Sequence, residues 1–194
     1  MVVVPRQERV AFLMDERQQR WRDDSRERVC RTEQDARVAR AFETAPRVAI
    51  DLSFVSTLSA VEQRSLWRQL QLCWGANRRA AAPLSLHLTN LAGCPSQEIE
   101  MGWPPGRPPP STAAERVRAL GWTVGAHEGA VTEHFEPSSV VYLSPDADTV
   151  LDALDSDTVY VVGGLVDRSV RRHASLSRAA QLGVRAARLP LQAR

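Results

Sequence analysis

The stretch of this sequence best suited to chemistry is Val161-Val-Gly-Gly-Leu-Val-Asp167. Two adjacent glycines at the end of an apolar run let the main chain turn sharply and pass close to a ligand. Asp167 stands just beyond, with a carboxylate that can accept a proton or bind a donor. On spacing alone, the same pattern also reads as an ordinary turn after a strand. The other reactive side chains lack an arrangement. His87, His127, His134 and His173 are scattered, with no pair at i, i+4 of the kind a zinc-protease helix presents. His87, isolated in a strand-like segment, reads as structural. Cys30, Cys73 and Cys94 are odd in number and form no CxxC. This argues against a disulfide framework or a cysteine zinc site, and for idle thiols in a reducing compartment. P-loop, GxGxxG and GxSxG patterns are absent. No metal is expected.

These residues need elements to hold them. The chain has 194 residues with 43% hydrophobic content, enough for one good domain plus an arm. Residues 6–43 carry many arginines and nine interleaved acids, with no glycine. They read as one or two long solvated helices, so residues 1–45 form a charged arm and 46–194 the domain. Pro46 ends the arm. Arg47 to Leu52 reads as a buried strand. Ser59 to Arg79 reads as a helix opened by the capping box Ser59-Ala-Val-Glu62. Leu66, Leu70, Cys73 and Trp74 then follow at helical spacing and should face the core, with Trp67 as further packing. Leu84 to Thr89 alternates apolar and polar, as a strand does.

Residues 101–111, rich in Pro and Gly, read as a loop or spacer. Ser139 to Leu143 is a strand. Ser144-Pro-Asp-Ala places a cap and then a proline at the first position of a helix whose apolar face is Val150, Leu151 and Leu154. Thr158 to Val162 is a strand ending in Gly163-Gly164. Ser175 to Leu182 is a helix stopped by Gly183. Arg185 to Leu191 is the last strand. Strands alternating with helices give an α/β fold: a parallel sheet flanked by helices. Ligands of such sheets bind beyond the strands' carboxyl ends, which here means the loops after Leu143, Val162 and Leu189.

Charge narrows the partners little. The net charge is +2, and all 25 basic residues are arginine. Arginine suits forked contacts to phosphate and stacking on bases, although a GC-rich coding sequence gives the same bias. No stretch approaches the roughly 20 apolar residues of a membrane helix. No targeting signal is read, so an intracellular location, cytoplasm or nucleus, is expected.

Five blocks occur in order: Asp51-Leu-Ser53, Gly75-Ala-Asn-Arg-Arg79, Val141-Tyr-Leu-Ser-Pro-Asp146, Val162-Gly-Gly-Leu-Val-Asp167 and Ala187-Arg-Leu-Pro-Leu191. Together they resemble the tRNA guanosine-N1 methyltransferases that modify the ninth nucleotide, members of the SPOUT superfamily of knotted methyltransferases. The run from Gly163 to Arg188 is most similar to the vertebrate B paralogue. The resemblance covers roughly Arg37 to Leu191.

The resemblance implies a bent S-adenosylmethionine held between the loops after the last strands. Leu143, Gly163, Gly164, Arg168 to Arg171, Ser175, Leu189 and Leu191 would border that pocket. Asp167 falls on the position of the proton acceptor. Asn77, Arg78 and Arg79 match a basic patch that contacts tRNA, and the arm matches a basic extension, though here acids nearly balance the arginines. Family members act as monomers. They also continue beyond Leu191 through a loop and helix that complete the knot, whereas this sequence stops at Arg194. The resemblance therefore implies a fold without the knot's C-terminal segment. Two readings stay open: a methyltransferase acting on N1 of a guanosine or adenosine, or a catalytically inactive truncated RNA-binding protein.

Overall fold

The structure is a computed structural model that describes residues 6–94, 110–165 and 173–191. The order is α1 (Arg6–Thr44), β1 (Arg47–Asp51), α2 (Ala60–Arg79), β2 (Ser85–Thr89), α3 (Ala113–Ala119), β3 (Gly125–Ala126), α4 (Val131–His134), β4 (Val140–Leu143), β5 (Val159–Gly163), α5 (Ala174–Leu182) and β6 (Arg185–Ala187). The strands form one sheet in the order β3-β2-β1-β5-β4-β6, and every pairing is parallel. The expected helix-flanked parallel sheet is what forms.

One face of the β2–β1 half packs against α2 and α3, through Ile50 and Leu88 against Leu66, Trp67, Leu70 and Val117. The opposite face sets Ala49, Tyr142, Val159 and Val161 against Ala179 of α5 and Val131 of α4. The arm is one helix, α1, whose end is fastened to the domain. Val38 is buried, and the Ser85 hydroxyl donates to the Phe42 carbonyl at 2.8 Å.

Local chemistry explains the boundaries. Ser59 and Glu62 form the reciprocal capping box that starts α2. Gly183 stops α5 in the left-handed conformation, at φ 67°. A second capping box, Thr112 with Glu115, starts α3. Within α2, Leu66, Trp67, Leu70 and Trp74 are buried as expected, whereas Cys73 is exposed. Leu66, Leu70 and Trp74 step by four, each about 40° further round, so the buried stripe turns away from Cys73, which is left at its edge about 20° beyond Leu66.

The helix expected after Ser144 does not form. Ser144 makes one turn, its hydroxyl accepting from the Asp146 amide at 3.3 Å. The chain then runs beside the extension of β6: Leu151 N–H donates to the Arg188 carbonyl and Arg188 N–H to the Thr149 carbonyl, both at 2.8 Å. Main-chain groups committed to Arg188 cannot close helical rings. The aspartates at 146, 148, 152, 155 and 157 favour turns instead. Regular pairing in β6 ends at Ala187, short of the expected Leu191. Of the Pro- and Gly-rich stretch 101–111, all but its last two residues lie outside the described residues.

β2 is buried along its whole length, polar residues included. His87 meets His127 with Nδ1···Nε2 at 3.0 Å, and the His127 and His134 rings lie 4.3 Å apart. The histidines that are scattered in sequence thus cluster, because β2, β3 and α4 converge. Gly125 makes room, since a Cβ there would collide with His87 and His127. Burial first, then the neighbouring His127, Arg47 and His134, pushes His87 down to about 4. Burial, His134 and Arg118 also lower His127. The unfolded chain protonates these rings near their ordinary value of 6.5, and the native state resists. Their contribution to stability is therefore whole above about pH 6.5 and falls as pH drops toward about 4. We expect His87→Phe to flatten the fall of Tm across that window; a slope equal to the parent's would place the acid sensitivity elsewhere.

Candidate functional site

The register of the sheet decides where a ligand can sit. β1 pairs with β5 so that Asp51 faces Gly163; Leu143 of β4 faces Val162 and Ala187. The carboxyl ends of β5, β4 and β6 therefore emerge side by side, and the loops leaving them converge. Between those loops lies a cleft of about 560 Å³ lined by Leu143, Ser144, Pro145, Val162, Gly163, Leu165, Ser175, Arg188, Leu189 and Leu191. The size falls within the ~300–1,000 Å³ of small-molecule sites. Its walls are mostly apolar, with hydroxyls from Ser144 and Ser175 and a guanidinium from Arg188. Val162 is 41% exposed there and Leu189 42%, so apolar surface stands open to an occupant.

Five of the residues expected around the pocket line this cleft: Leu143, Gly163, Ser175, Leu189 and Leu191. Gly164 sits behind it instead. Its N–H donates to the Asp51 carbonyl at 2.8 Å, and a Cβ would stand 3.0 Å from that oxygen and 3.0 Å from Leu52 Cδ2. Gly163 faces tight neighbours too, with Ser175 Oγ, Phe54 and the Tyr142 hydroxyl 3.2 to 3.4 Å from where a Cβ would lie. Asp167, Arg168 and Arg171 lie outside the described residues. Ser144, Pro145, Val162, Leu165 and Arg188 join the lining though the sequence reading did not select them. Each lies within two residues of a selected position, so the strand-end rule could have found them.

Beneath the cleft is a charge the sequence reading missed. Asp51 is fully buried at the end of β1. Its Oδ1 accepts from the Ser53 amide at 2.9 Å and the Asn90 side chain at 2.7 Å. Its Oδ2 accepts from the Tyr142 hydroxyl at 3.0 Å and Arg178 Nε at 3.2 Å. Burial, and then this carboxylate, raises the Tyr142 hydroxyl far above its ordinary value, so it stays a donor. The same two causes push the Cys94 thiol up to about 12, which rules it out as a nucleophile.

Next in sequence to Pro145 of the cleft, Asp146 accepts from the His173 amide at 3.2 Å, and His173 holds a left-handed φ of 58° before α5. The basic patch lies elsewhere. Asn77 makes paired bonds to the Leu84 main chain, at 3.0 and 2.8 Å. Arg78 forks onto Asp35 of α1, Nε to Oδ1 at 2.6 Å and a terminal nitrogen to Oδ2 at 3.0 Å. Arg79 is exposed.

Comparison with known proteins settles the family. The family described as tRNA (guanine(9)-N(1))-methyltransferase TRM10/TRM10A matches residues 5–194. The chain belongs to the TRM10 family. A tRNA methyltransferase 10 homolog B from Danio rerio is 30% identical over 145 residues, covering 75% of this chain and 43% of that protein. The Mus musculus homolog B is 30% identical over 157 residues, covering 78% of this chain and 44% of the relative. The chain thus spans less than half the length of these relatives. A crystal structure described as an spTrm10(Full length)-SAH complex superimposes with a TM-score of 0.63 at 26% identity, over 76% of this chain and 77% of that one. The SPOUT-like fold of the TRM10 family is therefore the fold of this chain. Among the described residues no helix is long and apolar enough to cross a membrane.

Tight packing behind the turn makes it sensitive. In this TRM10-family chain, Gly164→Ala sets a Cβ against a main-chain oxygen that cannot withdraw without breaking its own hydrogen bond. We expect a loss of about 1–3 kcal/mol in urea unfolding. Parental stability would mean that the β1–β5 junction yields.

Proposed function

We propose that this chain is the methyl-transferring domain of an S-adenosylmethionine-dependent tRNA methyltransferase acting on N1 of the purine, guanosine or adenosine, at the ninth tRNA position. The observation that carries the reading is the cleft at the strand ends, lined by five of the residues that the family resemblance assigns to the cofactor. A non-catalytic RNA-binding role would leave that cleft without a purpose.

Its donor set fits the cofactor. Leu143, Leu189 and Leu191 supply apolar walls for the adenine and thioether parts. The Gly163 main chain permits close approach, and Ser175 and Arg188 offer polar contacts. The resemblance assigns Arg168 and Arg171, which lie outside the described residues, to the same border. When bound, S-adenosylmethionine supplies an electrophilic methyl group, and that chemistry calls for no metal.

N1 of guanine carries a proton and is a poor nucleophile while it keeps it. The resemblance gives Asp167 the role of acceptor or orienting group for that proton. Apolar walls exclude water and hold the reacting groups in line, from which much of the acceleration comes. Asn77, Arg78 and Arg79, with the arm of residues 6–43, form the tRNA-facing side. Arg79 is free to meet phosphate, and Arg78 would exchange Asp35 for it. The protein works as a monomer in the cytoplasm or nucleus.

Titration calorimetry with S-adenosylhomocysteine tests the reading: saturable binding is expected, and a flat titration of the folded chain would remove the cofactor from it. Asp167→Asn should lower the single-turnover methylation rate of tRNA more than it weakens cofactor binding. Equal rates would take Asp167 out of the mechanism.

A further inference from the structure

We infer that Arg178 is a positioning residue for the cleft, acting through the buried carboxylate of Asp51. The inference rests on reading that cleft as the cofactor site.

Asp51 joins six parts of the chain: β1 itself, the turn at Ser53, Asn90 after β2, Tyr142 of β4, Arg178 of α5, and Gly164, whose amide bonds its carbonyl. Among the described residues, Arg178 is the cation within ion-pair distance, Nε to Oδ2 at 3.2 Å, with Asp51 fully buried and the Arg178 side chain 20% exposed. Arg178 lies three residues after Ser175 on α5. Residues so spaced share a helix face, so what fixes Arg178 also fixes Ser175. Ser175 in turn lines the cleft beside Gly163.

Apart from Arg178, α5 is held by apolar contacts: Ala179 is buried, and the half-buried Leu182 packs against the same cluster. Such contacts set how close the helix comes to the sheet, but they are non-directional and constrain its position along the sheet less. The Arg178–Asp51 bond has direction and supplies that second coordinate. Stability alone gives little reason for burying an ion pair, because a packed hydrophobic pair is often as good or better. Fixed geometry at the cleft gives one.

The test uses Arg178→Met, Arg178→Lys and the double variant Asp51→Asn/Arg178→Met, each titrated with S-adenosylhomocysteine and followed by amide exchange in the ligand-free chain. Arg178→Met should weaken binding by about tenfold or more, and Arg178→Lys should restore most of it. The double variant removes the uncompensated charge, and its amide nitrogen can donate to Tyr142, so Tm should recover. Binding should nevertheless stay about tenfold weak, with faster exchange at Gly164 and through α5. A double variant that recovers both Tm and affinity would make the pair merely structural and overturn the inference. Should the parent itself not bind, faster exchange at Gly164 in the double variant would sustain the positioning role and remove the cofactor reading alone. Exchange equal to the parent's would overturn the positioning role.

Discussion

The pairing of β1 with β5 carries the site. It sets Asp51 against Gly163 and lets the Gly164 amide reach the Asp51 carbonyl. A main-chain bond this close leaves little room at Gly164, where a Cβ would stand 3.0 Å from the Asp51 carbonyl oxygen, so glycine suits the turn. Because every strand runs the same way, the turn also emerges beside the ends of β4 and β6. The cleft follows from these two facts: parallel direction collects the loops, and the diglycine turn keeps the floor low enough to leave a space.

Around that junction the molecule divides its labour. The face toward α2 and α3 is ordinary apolar packing, with Trp67, Leu70 and Leu88 at its centre. The other face carries polar groups at depth: Asp51, Thr89, His87 and Ser85 are all buried. Each is tolerated because it has a partner, as a buried polar group must. Asp51 is satisfied by four donors. His87 is held between Ser85 and His127. α1 covers this side near Phe42, whose ring lies 5.1 Å from that of His87.

Much of this was legible beforehand. Strand alternation, the Ser59 capping box and the Gly183 stop signal are local rules, and they placed β1, β2, α2, β4, β5 and α5 within a residue or two. The diglycine at Gly163 and the co-linear blocks pointed to the cleft before any coordinates. What stayed hidden was non-local. The histidines at 87, 127 and 134 become neighbours because three elements meet, and no spacing rule encodes that. Asp51 looked like the end of a buried strand. Its partners Asn90, Tyr142 and Arg178 are 39, 91 and 127 residues away. The segment after Ser144 misled because its start has helix chemistry, while its outcome was decided by hydrogen bonds to Arg188, far along the chain. Asn77 and Arg78 match a tRNA-contacting patch in sequence, yet in the fold Leu84 and Asp35 occupy them.

The segment after Ser144 gives one residue of the cleft, Arg188, an unusual kind of backing. From Thr149 to Leu151 it is held against Arg188 by amides and carbonyls rather than by side chains. Main-chain bonds are blind to residue identity, proline excepted. The segment that backs Arg188 can therefore drift in sequence with little change in where it holds that strand, while the opposite side, built on glycines, Ser175 and a buried ion pair, cannot. Support built this way tolerates mutation behind one flank of the cleft and not behind the other.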